Sequence, residues 1–444
     1  MKRAVVVICD GLRADMVHQV TTPNLWALAA QGHSFTNHRS VFPATTRTTS
    51  ASIATGCLPG RHGLDGNCMA IDEGEGLVPL NVGHPDFRDR LRKATGRTLR
   101  VPTLAERLKD YGGGIVFSNV SPGAAYFQDP DGHGHVYHRG GSFGPGLTPL
   151  PESEGLSVSH DVSGDADMTE RFCDEVVANR RPALALMWFC EPDHSQHAMP
   201  LGSPEHLAIL ALADANAGRV IQAVRETAEG DEVLLIVASD HGHETVDRII
   251  PLESMLIGAG LKEGPGSHDV VVASNVFSAH VYVAPEAQGR LGDIVEFLKD
   301  AEDVDQVFAG DDLISVGHRT DSPLAVSVTP KRTDDANEFG IPGMNGAFED
   351  PLSSETRIGC GQHGGLGPFE QHPFLIVQGG GFGVGVGSED PTSAIDLAPT
   401  ILRHLGGSRR LYPAQSPRHG HQSLHLRRLD AARRRSGSDA VHRV

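Results

Sequence analysis

Lys2-Arg3-Ala4-Val5-Val6-Val7-Ile8-Cys9-Asp10-Gly11-Leu12 is an apolar, β-branched run that stops on an acid. Two later runs end the same way. Ala183 to Cys190 (ALALMWFC) leads into Glu191-Pro192-Asp193, and Val233 to Ser239 (VLLIVAS) leads into Asp240. Each reads as a strand. In a parallel α/β sheet the carboxyl ends of the strands open on one crevice, so the three carboxylates converge there.

Helical segments alternate with these strands. Residues 22–32 have an N-cap Thr22, Pro23 at the first helical position, apolar residues at helical spacing and a terminating Gly32. A similar segment at 102–112 leads into a strand at 115–118, and Ser203-Pro204 opens a long helix to about residue 228. This βαβ rhythm predicts an α/β fold with a mostly parallel central sheet and helices on both faces. Residues 374–377 give the last core strand and 394–405 the helix after it. Between His243 and Cys360 the rhythm changes. Strands at 276–283, 304–308 and 324–328 and a helix at 287–299 make a small inserted α+β cap over the crevice. The core is then 1–245 and 361–407, the cap 246–360, and 408–444 a disordered tail whose Arg433-Arg434-Arg435 is at most a weak electrostatic arm. Residues 140–155, rich in Gly and Pro, read as a surface loop.

The 444 residues are 39% hydrophobic, enough for a large core, and carry a net charge of −18. That charge argues against a nucleic-acid polymer as partner. Six scattered cysteines fit reduced thiols in a cytoplasmic protein. The N-terminus imitates a signal peptide but is too short and ends on an acid, and no other stretch reads as a membrane span.

The chemistry lies in the residues at the strand ends. Asp10, Asp193 with His197 one turn later in EPDHSQH, Asp240 with His241 in SDHGHE, and His363 in GQHGG are hard and borderline ligands. Any one Asp can equally start a turn. As a set they suit two divalent ions, zinc first and manganese second, about 3.5–4 Å apart. His243 and Glu244 read as partners that orient a neighbouring imidazole. Residues 41–56 end a loop and start a helix, so a hydroxyl of the Thr45/Thr46 pair lies near free N–H groups that favour an anion. Such hydroxyls also serve as caps.

The order of these motifs resembles the alkaline phosphatase superfamily, and most of all its type I phosphodiesterase and nucleotide pyrophosphatase branch. DGLRADM, TPNLWALAAQG, FPATTRTTSASIATGCLPGRHGLDGN, PTLAERL, EPDHSQH, SDHGHETV, GQHGGLGPFE and DLAPTILRHLG carry the likeness across nearly the whole chain. The resemblance implies a two-metal hydrolase of small-molecule phosphate esters, acting through a phosphothreonine on Thr46. It implies a first metal site of Asp193, His197 and His363, and a second of Asp10, Asp240 and His241. The family's phosphate-binding Asn has no counterpart near the nucleophile, where the hydroxyl of Thr49 and the cation of Arg47 stand as phosphate contacts; Gln196 replaces a common Gly. Phosphomonoesterase and phosphonate hydrolase activities fit the same centre, a phosphomutase or a non-catalytic ligand binder less well. Cys57-Leu58-Pro59-Gly60-Arg61 matches the sulfatase run in letters only and reads as a turn. The histidines of 131–138 read as a solvated loop or as recognition at the crevice rim.

Overall fold

The computed structural model describes residues 2–227, 232–352 and 356–406, so the expected tail at 408–444 lies outside the described residues. Residues up to Leu405 belong to one compact unit. β1 (Lys2–Cys9), β2 (Gly114–Ser118), β3 (His135–His138), β4 (Leu184–Phe189) and β5 (Glu232–Ala238) run parallel in the spatial order β5-β1-β4-β2-β3. β6 (Leu375–Gly379) adds antiparallel to β5, and short edge strands complete a sheet of ten. The apolar runs are continuous because the central strands are buried on both faces. Val5, Val7 and Cys9 of β1 join one core cluster, while helix Leu397–His404 packs against β1 elsewhere.

Three helices matter for the site or the core: α1 (Pro23–Gln31), α2 (Thr46–Thr55) and α3 (Pro204–Thr227). By length and composition α3 is apolar enough to cross a membrane. Here its Leu210, Ala217, Val220, Ile221 and Val224 enter the core beside β1. Its buried Asp214 accepts the N–H groups of Asn24 and Leu25, which the start of α1 would otherwise leave unpaired. These are the marks of a core helix.

The segment expected to form a cap folds as α+β. Val270–Ser274, Ala279–Val283, Leu324–Pro330 and Val304–Ala309 form an antiparallel sheet in that order, covered by helix Leu291–Asp300 through Ile294 and Leu298. Beside it, Glu244–Ile250 pairs with Pro342–Phe348 and, at its start, with Gly361–Gln362. The strand expected from 276 begins only at Ala279, because Val276 has φ 66° in a turn closed by Asn275 N–H to Ser278 O. The helix expected over 102–112 shrinks to Leu104–Leu108, capped by the Thr103 side chain. The loop 140–155 contains two short strands that extend the sheet edge.

Candidate active site

Register brings the acids level. Ile8 pairs with Ala238 and Cys9 with Phe189, so Asp10, Asp193 and Asp240 leave neighbouring strands at one end of the sheet. Gly11 makes the close approach possible. Its φ is +69°, and a Cβ there would stand 2.5 Å from the His243 ring and 2.9 Å from Asp193 Cβ.

Two clusters result. In one, His241 Nε2 lies 3.4 Å from Asp10 Oδ1 and 3.2 Å from Asp240 Oδ2. In the other, Asp193 Oδ2 is 3.2 Å from His197 Nε2, while Asp193 Oδ1 is 3.1 Å from His243 Nε2 and 3.5 Å from His363 Nε2. The clusters touch: the His241 and His363 rings stack with centroids 3.7 Å apart. His243, expected to orient a neighbouring imidazole, instead points its own Nε2 at Asp193, in the cluster with His197 and His363.

Both donor sets fit divalent cations. Backbone carbonyls fix the imidazoles: Nδ1 of His241 faces Gly242 O, that of His243 faces Gly11 O, and that of His363 faces Ala44 O at 2.8 Å. A neutral ring donating from Nδ1 turns the Nε2 lone pair inward. Asp10 Oδ1, Asp193 Oδ1, Asp240 Oδ2 and His243 Nε2 are buried without a hydrogen-bond partner, although the second oxygens of Asp10 and Asp240 accept from Trp188 Nε1 and Gly11 N–H. Electrostatics agree with a missing positive charge. Burial, then the Asp240 charge, raises the Asp10 carboxyl well above the usual range. Burial, then Asp193, pushes Asp240 up to about 7, and burial lowers His241 to about 3. A cation would restore both carboxylates.

α2 delivers Thr46 to this centre. Its Oγ1 stands 3.1 Å from His241 Nε2, whereas Thr45 Oγ1 donates to Thr48 Oγ1. Thr49, expected at the phosphate, is turned away: it is fully buried, with its hydroxyl 3.2 Å from Ser40 Oγ. Asn67, the last residue of the long motif that begins at Phe42, lines the cavity instead. Its Oδ1 accepts the Arg47 N–H at 3.1 Å, leaving Nδ2 as the donor of a residue that lines the cavity. Arg47 also lines it, but Nε donates to Ser121 Oγ and Nη1 to Asn67 O, so Arg47 braces the wall around Asn67. Cys57 lies beyond the far end of the ten-residue α2, about 15 Å along the helix axis, out of reach of the reaction. Glu244 does not orient a cluster imidazole: its carboxylate accepts from Arg332, Asn345 Nδ2 and Phe369 N–H.

Above the clusters opens a cavity of about 530 Å³. Asn275, Val276 and Asp350 of the inserted segment close one side, and Arg139, His160 and His194 line the cavity as well. Residues 4–335 match the type I phosphodiesterase/nucleotide pyrophosphatase family.

The chain belongs to that family. A pyrophosphatase/phosphodiesterase of Schizosaccharomyces pombe, itself uncharacterised, is 25% identical over 253 residues, which is 56% of this chain and 47% of that protein. The match thus spans about half of that relative's length. Murine ectonucleotide pyrophosphatase/phosphodiesterase 5, in an inactive form with AMP, has the same fold with a TM-score of 0.66 at 18% identity, over 94% of this chain and 97% of its own. Phosphonoacetate hydrolase of Sinorhizobium meliloti, in complex with phosphonoformate, gives 0.61 at 16% identity, over 91% and 95%. Both of these structures share the fold described above; the two clusters of this chain are able to hold metal ions.

Proposed function

We propose that this chain is a phosphodiesterase or nucleotide pyrophosphatase that uses two divalent ions, zinc foremost, and Thr46 as nucleophile. The observation that carries the reading is Thr46 Oγ1 at 3.1 Å from His241, at the helix start and beside three unpartnered carboxylate oxygens. Asp10, Asp240 and His241 would hold one ion; Asp193, His197, His363 and His243 would hold the other. Bound there, the ions supply positive charge that favours a deprotonated Thr46 and offsets charge on the phosphoryl oxygens.

Thr46 Oγ1 attacks phosphorus, the bond to the leaving oxygen breaks, and a phosphothreonine forms. Water then attacks the same phosphorus, releasing the phosphate product and regenerating the Thr46 hydroxyl. Asn67 Nδ2 donates to a phosphoryl oxygen as charge develops. Two in-line displacements leave retention of configuration at phosphorus. The AMP and phosphonoformate held by the two structural neighbours are consistent with a phosphoryl compound as ligand. The test is chelation together with Thr46→Ala. Two ions per chain by elemental analysis, loss of hydrolysis on chelation, and a Thr46→Ala rate reduced at least about 10³-fold with metals retained are expected. An active Thr46→Ala overturns the nucleophile; a chain saturating at one ion overturns the two-ion centre.

A further inference from the structure

Arg139 directly follows the histidine-rich stretch 131–138, and the reaction just described leaves it without a task. It follows β3 at the carboxyl end of the sheet. His160 comes from the loop before helix Val162–Arg171, and His194 follows Asp193. Chain segments far apart in sequence thus meet on one wall of the cavity, the two imidazole rings 4.1 Å apart.

Arg139 is anchored from behind. Nη1 donates to Asn119 O at 3.1 Å and Val120 O at 2.7 Å, fixing the plane of the half-buried guanidinium. Nε and Nη2 have no hydrogen-bond partner and the group makes no ion pair among the described residues. Burial lowers its pKa, against the opposing pull of nearby Cys190 and Asp165. A half-buried guanidinium with an open fork is shaped for a carboxylate or phosphate. The cavity wall, by contrast, includes no Phe, Tyr or Trp among its described residues.

We propose that Arg139, flanked by His160 and His194, is a second anion subsite, and that the substrate carries a further anionic group, carboxylate or phosphate, close to its phosphoryl centre. This rests on the two clusters being the phosphoryl-binding centre. Calorimetric titration of the metal-replete full chain with phosphonoacetate, methylenediphosphonate and ethylphosphonate tests it, since ethylphosphonate keeps the P–C–C skeleton of phosphonoacetate and lacks the second anion. At least one two-anion probe should bind about tenfold or more tightly than ethylphosphonate, and Arg139→Met should cut that advantage to about threefold or less. The tighter of the two probes identifies the second group as carboxylate or phosphate. Arg139→Lys keeps a cation beside the anchoring carbonyls but loses the fork, so it should retain only part of the preference. Equal binding of all three probes by the native protein, or a full preference in either variant, overturns the subsite. Failure of ethylphosphonate to bind the metal-replete native protein overturns the phosphoryl centre instead.

Discussion

The two clusters lie against each other yet differ in exposure. The side chains of Asp10, Asp240 and His241 are 0–1% exposed, whereas Asp193 is 15% and His197 20% exposed. The buried cluster is made where β1 and β5 end, beside a helix start that carries a hydroxyl. The open one is made from the β4 loop and the His363 loop, and it faces the cavity. A buried site fixes a nucleophile, because its ligands cannot exchange readily with water. An exposed site meets the substrate. On the proposed two-ion reading, the division of labour would follow from where each set leaves the sheet.

The sharpest way to break this comparison is to remove one ligand from each side. Asp240→Asn should lose the ion of the buried cluster, and His363→Ala that of the open one. Both should cost far more rate than the roughly 10–100-fold typical of residues that merely orient a ligand. Elemental analysis beside the steady-state rate separates them. Loss of both ions from either variant would mean that the stacked His241 and His363 rings couple the clusters into one unit.

A second contrast sets Asn67 against Thr49. Asn67→Ala removes a donor at the cavity and should lower kcat by about 10²–10³. Thr49→Val removes only the hydrogen bond to Ser40, at about 1 kcal/mol of stability. Its kcat should stay near that of the native chain. The reverse pattern, in kinetics and thermal melts of both variants, would return the phosphate contact to Thr49.

The sequence made the buried cluster legible because strands buried on both faces announce themselves as continuous apolar runs, and their acids stand at the ends. Helix α3 and the starts of most other elements were readable from Pro and cap residues for the same local reason. Thr49 was misread for want of such a signal: every residue of α2 except Arg47 is buried, so no exposed face tells which hydroxyl meets the cavity. Asn67 was within the recognised motif but follows two turns whose path is set by tertiary contacts, including Arg47 N–H on its own Oδ1. Arg139, His160 and His194 come from separate loops and have no shared spacing. The turn at Val276 carries a positive φ on a β-branched residue, which local preference opposes.

The smallest effect tests how the open cluster differs from a three-ligand site. His243 Nδ1 lies 3.2 Å from Gly11 O, which fixes it as the donor of a neutral ring and leaves Nε2 as a lone pair. That lone pair faces Asp193 Oδ1 at 3.1 Å, and neither atom has a hydrogen-bond partner. Two buried acceptors at that separation repel unless a cation lies between them. As a fourth ligand, His243 would raise affinity at the open cluster and leave the buried one alone. His243→Ala should therefore weaken one of the two ions by about 10–100-fold in competition with a chelator, with the other unchanged. In a cobalt-substituted protein the visible absorption of the weakened site should change as well, since it reports coordination number. Unchanged affinity and spectrum would make His243 a protonated partner of Asp193, with the open cluster held by three ligands only.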